Sequence, residues 1–184
     1  VIPYFECFME RFPTITHLAQ AEADIVLSLW TGLGYYTRAR NLHASAIAIT
    51  QQHQGHMPND LDALIALKGI GRSTAGAIVS QAFNQRGVIL DGNVKRLLTR
   101  LYAIEGWPGQ RQIDQQLWQL ATDLTPHQRN ADYTQAIMDI GATICKPKQP
   151  LCVACPMQAH CQALAQDKVG IIPTRKPKKA IPHK

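Results

Sequence analysis

The stretch LDALIALKGIGRSTAGAIVS, residues 61–80, places an apolar helix, a Gly-x-Gly turn and a second helix in direct succession. Glycine tolerates positive φ and lets the backbone approach a ligand closely, which suits Gly69 and Gly71. Because the second helix begins at this turn, its free amide groups and the positive end of its dipole face outward. Lys68 and Arg72 flank the turn. These features together predict an anion-binding turn.

The alternative for this segment is a plain tight turn between two packed helices, and a lone Gly-x-Gly would favour that interpretation. Here the turn is part of a longer pattern, L-x-G-x-G-x-x-T-A, over residues 67–75. The longer pattern favours the anion-binding turn.

The composition restricts the class of protein. The chain has 184 residues, of which 46% are hydrophobic and 17% charged, so folding can hide roughly 70% of the extended chain's surface. Whole-chain disorder is therefore excluded. No window offers the roughly 18 apolar residues of a membrane span, and no secretory signal is visible. We expect a cytoplasmic protein, associated with the nucleoid of a bacterium, with no membrane partner. Because the first residue is Val, we also expect the chain to begin partway through a longer protein.

The position of the charges is more informative than the net charge of +6. From residue 168 onward the chain has six basic residues and no acidic one. Between residues 63 and 104 six cations accompany a single acid, Asp91. A locally basic segment favours a polyanion-binding face, because neutralising phosphates supplies most non-specific affinity for nucleic acid. A solvated helix face is the alternative.

Apolar residues recur at helical spacing along the chain, which predicts an all-α fold. The predicted helices span residues 17–30, 38–52, 60–67, 73–83, 93–104, 110–124 and 129–144, with a short apolar link over 87–90. We predict three parts: a six-helix lobe over 1–125, part of a cysteine-bearing lobe over 126–166, and a basic Pro/Lys linker over 167–184.

Four of the five cysteines lie within 17 residues, spaced C-x6-C-x2-C-x5-C. They are Cys145, Cys152, Cys155 and Cys161. Two disulfides, a zinc site or an iron–sulfur cluster would each use four thiols. The absence of an export signal disfavours disulfides, and zinc usually draws on two close ligand pairs where this segment has one. The spacing favours a 4Fe-4S cluster. Cys7, between Phe5 and Phe8, is predicted to be a core thiol.

Asp91 follows the apolar link and precedes a predicted helix. It can be an ordinary helix N-cap, a common position for Asp. Alternatively, its carboxylate stabilises a sugar that becomes cationic as an N-glycosidic bond breaks. Asn93 could orient that carboxylate or a phosphate oxygen. One residue can perform both functions.

Taken together, LKGIGRSTA, ILDGNVKR and the four-cysteine set resemble the helix-hairpin-helix DNA glycosylases. WTGLGYYTRARN (30–41) and LDGNVK narrow the resemblance to the adenine DNA glycosylases of the MutY type, over nearly the whole chain. The resemblance implies two helical lobes, a 4Fe-4S cluster loop and an adenine flipped out of the duplex into the cleft between the lobes.

The resemblance also implies roles for individual residues. Asp91 becomes the catalytic carboxylate, Asn93 its companion, and Tyr35 the side chain that wedges into the duplex, whereas Tyr36 is predicted to pack in the core. The DNA-binding residues are Tyr35, Arg38, Lys68, Gly69, Gly71, Arg72, Ser73, Thr74 and Lys95. The implied partner is double-stranded DNA with adenine opposite guanine or 8-oxoguanine, bound by a monomer in base excision repair.

The related endonuclease III branch uses a lysine amine two residues beyond the second hairpin glycine. This chain has Ser73 there, and a hydroxyl cannot form a Schiff base. The resemblance therefore implies a monofunctional glycosylase that leaves the strand unbroken, and an endonuclease III-like glycosylase/lyase is an alternative.

The family's general acid is a Glu on a helix ahead of the segment at which this chain begins, and none of the four Glu present matches that motif. Because a general acid contributes roughly 10²- to 10⁴-fold, we expect these 184 residues alone to be nearly inactive. The family's C-terminal recognition domain is likewise expected to lie beyond residue 184. A different class of function also fits: a non-catalytic DNA-binding module in which Asp91 only caps a helix and the cysteines hold structural metal.

Overall fold

The computed structural model describes residues 2–177, and every regular element in that range is helical. The predicted all-α fold is confirmed. The α-helices are α1 (Ile2–Arg11), α2 (Ile15–Gln20), α3 (Ala23–Leu29), α4 (Tyr36–Gln52), α5 (Leu61–Ala66), α6 (Arg72–Phe83), α7 (Gly92–Leu101), α8 (Arg111–Leu124), α9 (Asn130–Asp139) and α10 (Gln162–Ala165). A π-helix follows α9 over Ile140–Ile144, and two short 3₁₀ helices cover Cys152–Ala154 and Gln158–His160.

The chain forms two compact units, one ending at Ala75 and the other beginning at Gly76, so the boundary falls within α6. The predicted part boundaries at residues 125 and 166 stay a prediction. The last seven residues of the predicted linker, 178–184, lie outside the described residues. None of the helices in residues 2–177 is long and apolar enough to pass through a bilayer.

The first unit is organised around α4, against which both α2 and α3 pack. One helix was predicted over 17–30, but the chain breaks at Ala21 and Glu22, both in extended conformation. On one straight helix Leu18 and Val26 would lie about 12 Å apart along the axis. The break instead brings both into one buried cluster with Ala46. Apolar residues keep their helical spacing across the break, so the sequence did not predict it.

The core of the second unit is built on α7, whose apolar residues recur at positions 94, 97, 98 and 101 and are all buried. This spacing produces one apolar stripe along a helix. Residues from the 87–90 link, α8 and α9 complete the cluster: Ile89, Leu90, Leu117, Ala121 and Ile137. The first turn of α7 is consequently fixed against the unit's core.

The predicted helix over 129–144 is interrupted where α9 passes into the π-helix. Cys145 N donates to Ile140 O at 2.8 Å, a five-residue step in place of the usual four. The carbonyl of Gly141, which Cys145 N would otherwise reach, is left for a side-chain donor. π-Turns of this kind often occur at functional sites.

Two predictions of burial are wrong. Cys7 is exposed, not a core thiol. Phe8, the next residue, packs against Phe12 and Trp30, and a step of one residue turns about 100° around a helix, which directs Cys7 away from that contact. Tyr36, predicted to pack in the core, is 39% exposed because it begins the first turn of α4.

The hydroxyls of Ser80 and Thr134 lie 2.7 Å apart, and both residues are completely buried. We predict that Thr134→Val lowers the free energy of unfolding by about 1–3 kcal/mol, because it leaves the Ser80 hydroxyl buried without a partner. Adding Ser80→Ala should recover part of the loss. Urea unfolding followed by circular dichroism measures both, with the exposed Thr37→Val as control. Equal stability of Thr134→Val and the control would contradict the prediction.

Candidate nucleic-acid interface and active site

In the first unit, α4 holds the turn between α5 and α6 in place. Ser45 Oγ donates to the Lys68 carbonyl at 2.9 Å. Gly69 has φ +85°, and a Cβ on it would lie 2.5 Å from Nδ2 of Asn41. Both its backbone conformation and its packing therefore require glycine at this position.

Gly71 differs from Gly69, because a Cβ on it would meet nothing within 4 Å. The missing side chain leaves open space directly before α6, a helix of 12 residues that begins at Arg72. Lys68 and Arg72 are both exposed beside this space. The turn thus combines open backbone, a helix N-terminus and cationic side chains, as the sequence predicted. Ser73 and Thr74 follow in the first turn of α6.

Tyr35 stands at the beginning of α4 in a left-handed conformation, φ 50° and ψ 49°. Its side chain is 83% exposed, which is unusual for a tyrosine. Trp30 Nε1 donates to the Gly34 carbonyl at 3.0 Å and fixes the preceding loop. The guanidinium of Arg38 lies 6.0 Å from the centre of the Trp30 ring. A rigid loop therefore presents an aromatic side chain to solvent.

In the second unit, Asp91 is the N-cap of α7, and its Oδ1 accepts from Val94 N at 2.8 Å. The capping interpretation is therefore correct. The residue is nevertheless exposed, so the cap fixes a carboxylate at the helix N-terminus without removing it from solvent. A carboxylate in a fixed position that a substrate can reach could stabilise a developing cation once the bound substrate excludes water.

Arg96 connects the first turn of α7 to the segment that carries the first cysteine. Its guanidinium donates to Asn93 Oδ1 at 2.9 Å, to the Gly141 carbonyl at 2.7 Å and to the Cys145 carbonyl at 2.7 Å. The Gly141 acceptor is the carbonyl that the π-turn releases. Burial lowers the pKa of Arg96, while the nearby Cys145 and Asp91 oppose that shift.

A Cβ on Gly141 would lie 3.1 Å from Cβ of Asn93, closer than nearly all real contacts. The π-turn and the first turn of α7 therefore pack directly on each other. Because Asn93 packs on Gly141 and accepts from Arg96, its amide has a fixed orientation two residues after Asp91.

The four cysteines of the predicted set line one cavity whose wall is otherwise mostly apolar. Burial raises the pKa of Cys152, and the nearby Cys161 and Cys145 sulfurs raise it further. Arg100, only 4% exposed, donates to Cys145 Sγ at 3.4 Å. The sulfurs therefore converge on one space that a buried cation borders.

These thiols do not form a site for one metal ion. Among residues 2–177 no group of three or more His, Cys, Asp or Glu side chains could hold an ion. A four-iron cluster takes one thiolate per iron, and the number of thiols that line the cavity matches that requirement.

Most cations of the 63–104 segment have partners inside the protein. Arg86 donates to the last carbonyls of α8, and Lys95 pairs with Asp114. Arg96 and Arg100 bind the cysteine-bearing segment. Lys68, Arg72 and Arg86 are exposed, whereas Lys95 and Arg96 are half-buried and Arg100 is buried. Residues 63–104 therefore do not expose all six cations, and the polyanion-binding face stays a prediction. The predicted DNA contact of Lys95 has the least structural support.

The sequence did not indicate the functions of Asn41, Arg96, Arg100 and Gly141. The sequence did contain a pattern from which the roles of the two arginines could have been predicted. Arg96 and Arg100 lie four residues apart on α7, directly beside its buried leucines. An arginine at the edge of an apolar stripe often binds buried carbonyls, since its guanidinium offers five donors.

Comparisons with known proteins show the family of the chain. Residues 1–122 match the family described as HhH-GPD superfamily base excision DNA repair protein. An adenine DNA glycosylase of Buchnera aphidicola (from Schizaphis graminum) is 45% identical over 183 residues, which cover 100% of this chain and 53% of that protein. The human adenine DNA glycosylase is 44% identical over 164 residues, 89% of this chain and 30% of that protein. The chain thus spans about half the length of the Buchnera relative.

Solved structures show the same fold at low sequence identity. A thermostable thymine-DNA glycosylase superposes with a TM-score of 0.79 at 23% identity, over 89% of this chain and 76% of that chain. A non-covalent complex of endonuclease III with DNA gives 0.73 at 22% identity, over 90% and 76%. The family match covers well over half of the sequence, and the chain belongs to the HhH-GPD superfamily of base excision DNA repair proteins.

Proposed function

We propose that the protein is an adenine DNA glycosylase, or its catalytic core, that hydrolyses the N-glycosidic bond of adenine opposite guanine or 8-oxoguanine. The relatives that match the chain along nearly its whole length carry that name. The observation that carries the proposal is Asp91, an exposed carboxylate fixed at the N-terminus of α7 by its bond to Val94 N.

In the proposed reaction, Asp91 and Asn93 have different roles. As adenine departs, positive charge develops on the sugar ring, and a carboxylate in a fixed position stabilises that charge without having to reorganise. Asn93, oriented by Arg96 and packed on Gly141, fixes the surroundings of the carboxylate. Protonation of adenine needs a general acid, which the family supplies from a Glu-bearing helix ahead of the matched segment. Residues 1–184 alone should therefore release adenine very slowly.

In the proposed complex, the hairpin turn binds a DNA phosphate. Open space at Gly71, the first amides of α6 and the exposed Lys68 support this assignment. Tyr35, exposed on a fixed loop, is the proposed wedge in a duplex whose adenine is flipped out. Because Ser73 stands where a lyase needs an amine, the proposed enzyme is monofunctional. It acts as a monomer on double-stranded DNA in the cytoplasm.

The proposed cofactor is a 4Fe-4S cluster held by the four cysteines that line one cavity. The donor set fits the group, since four thiols line one cavity and the buried Arg100, which donates to Cys145 Sγ, would offset negative charge. A bound cluster would supply structural cross-links among the cysteine-bearing turns. The geometry does not assign it a step in the hydrolysis.

A second candidate is a DNA-binding module without catalysis, which is favoured by one observation: Asp91 does cap α7. The two functions differ in what they require of the charge on Asp91, because asparagine caps a helix about as well as aspartate.

We predict that Asp91→Asn reduces adenine release by about 10²-fold or more, because it removes the charge that stabilises the sugar cation while keeping the cap. The measurement is single-turnover release from an A:8-oxoguanine duplex by the chain extended at its N-terminus with the Glu-bearing helix of a relative. Asp60→Asn is the matched control, since Asp60 caps α5 by accepting from Ala63 N at 2.9 Å. Unchanged release by Asp91→Asn, with DNA affinity also unchanged, would support the module without catalysis.

We predict that Gly71→Val weakens DNA binding about tenfold for matched and mismatched duplexes alike, because phosphate contacts position a protein without reading sequence. The slope of log affinity against log salt should fall by about 1. Fluorescence anisotropy measures both quantities. Gly170→Val is the control, since a Cβ there also meets open space, and it should leave affinity unchanged. Full affinity of a folded Gly71→Val protein would exclude the turn as a phosphate site.

We predict about four irons per chain and broad absorption at about 400 nm in the purified protein. Cys155→Ser should lose both signals, because it removes one thiolate of the set. Cys7→Ser should keep them, because Cys7 is exposed on α1. Mass spectrometry measures the metal content of each protein, and an absorption spectrum measures the band at about 400 nm. A colourless protein with one zinc per chain would contradict the cluster.

A further inference from the structure

Residues 168–176 form a C-terminal strap that lies along residues 100–107. Three of their contacts lie at the surface. Lys168 Nζ binds Glu105 Oε1 at 2.7 Å, Gly106 N donates to Thr174 Oγ1 at 3.2 Å, and Lys176 Nζ lies 5.3 Å from the centre of the Trp107 ring. Exposed contacts of this kind contribute little to stability.

A fourth contact of the strap is buried. Arg100 Nε donates to the Ile172 carbonyl at 2.8 Å, and Ile172 is 3% exposed. Val169, also in the strap, lines the cavity of the four cysteines. The strap is therefore fixed at its centre by an arginine and contributes to the wall of the sulfur-lined space.

The same guanidinium binds the cysteine-bearing segment. Its Nη1 donates to the Lys146 carbonyl at 2.8 Å and lies 3.4 Å from Cys145 Sγ. Its Nη2 reaches the Pro147 carbonyl at 3.5 Å. Arg100 thus joins the strap to the cysteine-bearing segment.

Arg100 carries a buried positive charge that its carbonyl partners do not neutralise. None of the three ion pairs found in residues 2–177 includes it. Taking a guanidinium out of water is costly unless an anion is close. The anionic groups within its reach are the cysteine sulfurs, once they are thiolates bound to a cluster.

We propose that Arg100 is a positioning residue that makes docking of the C-terminal strap depend on the charged sulfur set. This inference rests on the proposed 4Fe-4S cluster. With the cluster bound, Arg100 is paired with Cys145 and holds the Ile172 carbonyl. Without the cluster, the cysteine-bearing turns lose their cross-link and the Cys145 segment no longer holds Arg100 in place. The strap then keeps only the buried Ile172 side chain and its surface contacts, and it is released more often.

Limited trypsin digestion of the full chain, followed by mass spectrometry, tests the coupling. Cleavage after Lys168 reports release of the strap, and cleavage after Arg129, an exposed residue on a different segment, reports general unfolding. Removing the cluster by oxidation and chelation should raise the rate at Lys168 at least tenfold and the rate at Arg129 less than twofold. Iron content and absorption are recorded for every sample.

Variants separate the contributions of the individual contacts. Arg100→Gln that still holds iron should be cleaved after Lys168 as fast as the cluster-free chain. The exposed Arg111→Gln and the surface double variant Thr174→Ala/Lys176→Ala should stay within twofold of the original. If Arg100→Gln does not fold, hydrogen exchange of strap amides in the unmodified chain, with and without cluster, gives the same comparison.

Three results would overturn the inference. Equal cleavage after Lys168 with and without a confirmed cluster defeats the coupling and leaves the cofactor proposal intact. A parallel rise at Lys168 and Arg129 shows general unfolding in place of strap release, and also defeats it. Absence of iron from the purified chain defeats the cofactor proposal and the inference together.

Discussion

Two arginines on α7, Arg100 buried and Arg96 half-buried, hold the cysteine-bearing segment against that helix, and the arrangement of the candidate site depends on them. Arg96 and Arg100 lie one helical turn apart and donate to carbonyls on either side of Cys145 and to its sulfur. Burying a guanidinium requires acceptors. The π-turn supplies one of them, because its five-residue hydrogen bond releases the Gly141 carbonyl. The helix that Asp91 caps is therefore the helix that anchors the sulfur set.

This arrangement distinguishes the cations on α7 from those at the hairpin turn. Those on α7 bind carbonyls, a carboxylate or sulfur, so their charge contributes to the interior of the second unit. Those at the hairpin turn are exposed, beside open backbone at Gly71. A count of basic residues along the sequence does not distinguish the groups. The contacts of the side chains do distinguish them.

Much of the fold followed from local patterns, whereas features made by tertiary contacts did not. Apolar spacing, turn residues and an Asp before a helix predicted α7, its cap and the hairpin, because these depend on neighbouring residues. The break before α3 and the π-turn escaped detection, since apolar residues recur through both segments. The exposure of Cys7 reversed a prediction made from its aromatic neighbours. The chemical groups of the candidate site could be predicted from the sequence. The orientation of Asn93 by Arg96 could not, because it depends on a hydrogen bond that only the structure shows.

The central proposal is that one helix, α7, presents a carboxylate at its N-terminus and, through Arg96 and Arg100, holds the cysteine-bearing segment that would bind an iron–sulfur cluster. Diffraction from crystals of the purified protein, collected at the iron edge, tests that claim most directly. We predict a compact anomalous peak of four irons enclosed by the four cysteine sulfurs, with Arg100 touching Cys145 and Asp91 capping α7. A single-ion peak at the zinc edge, no metal peak, or an Arg100 side chain turned into solvent beside a bound cluster would contradict it.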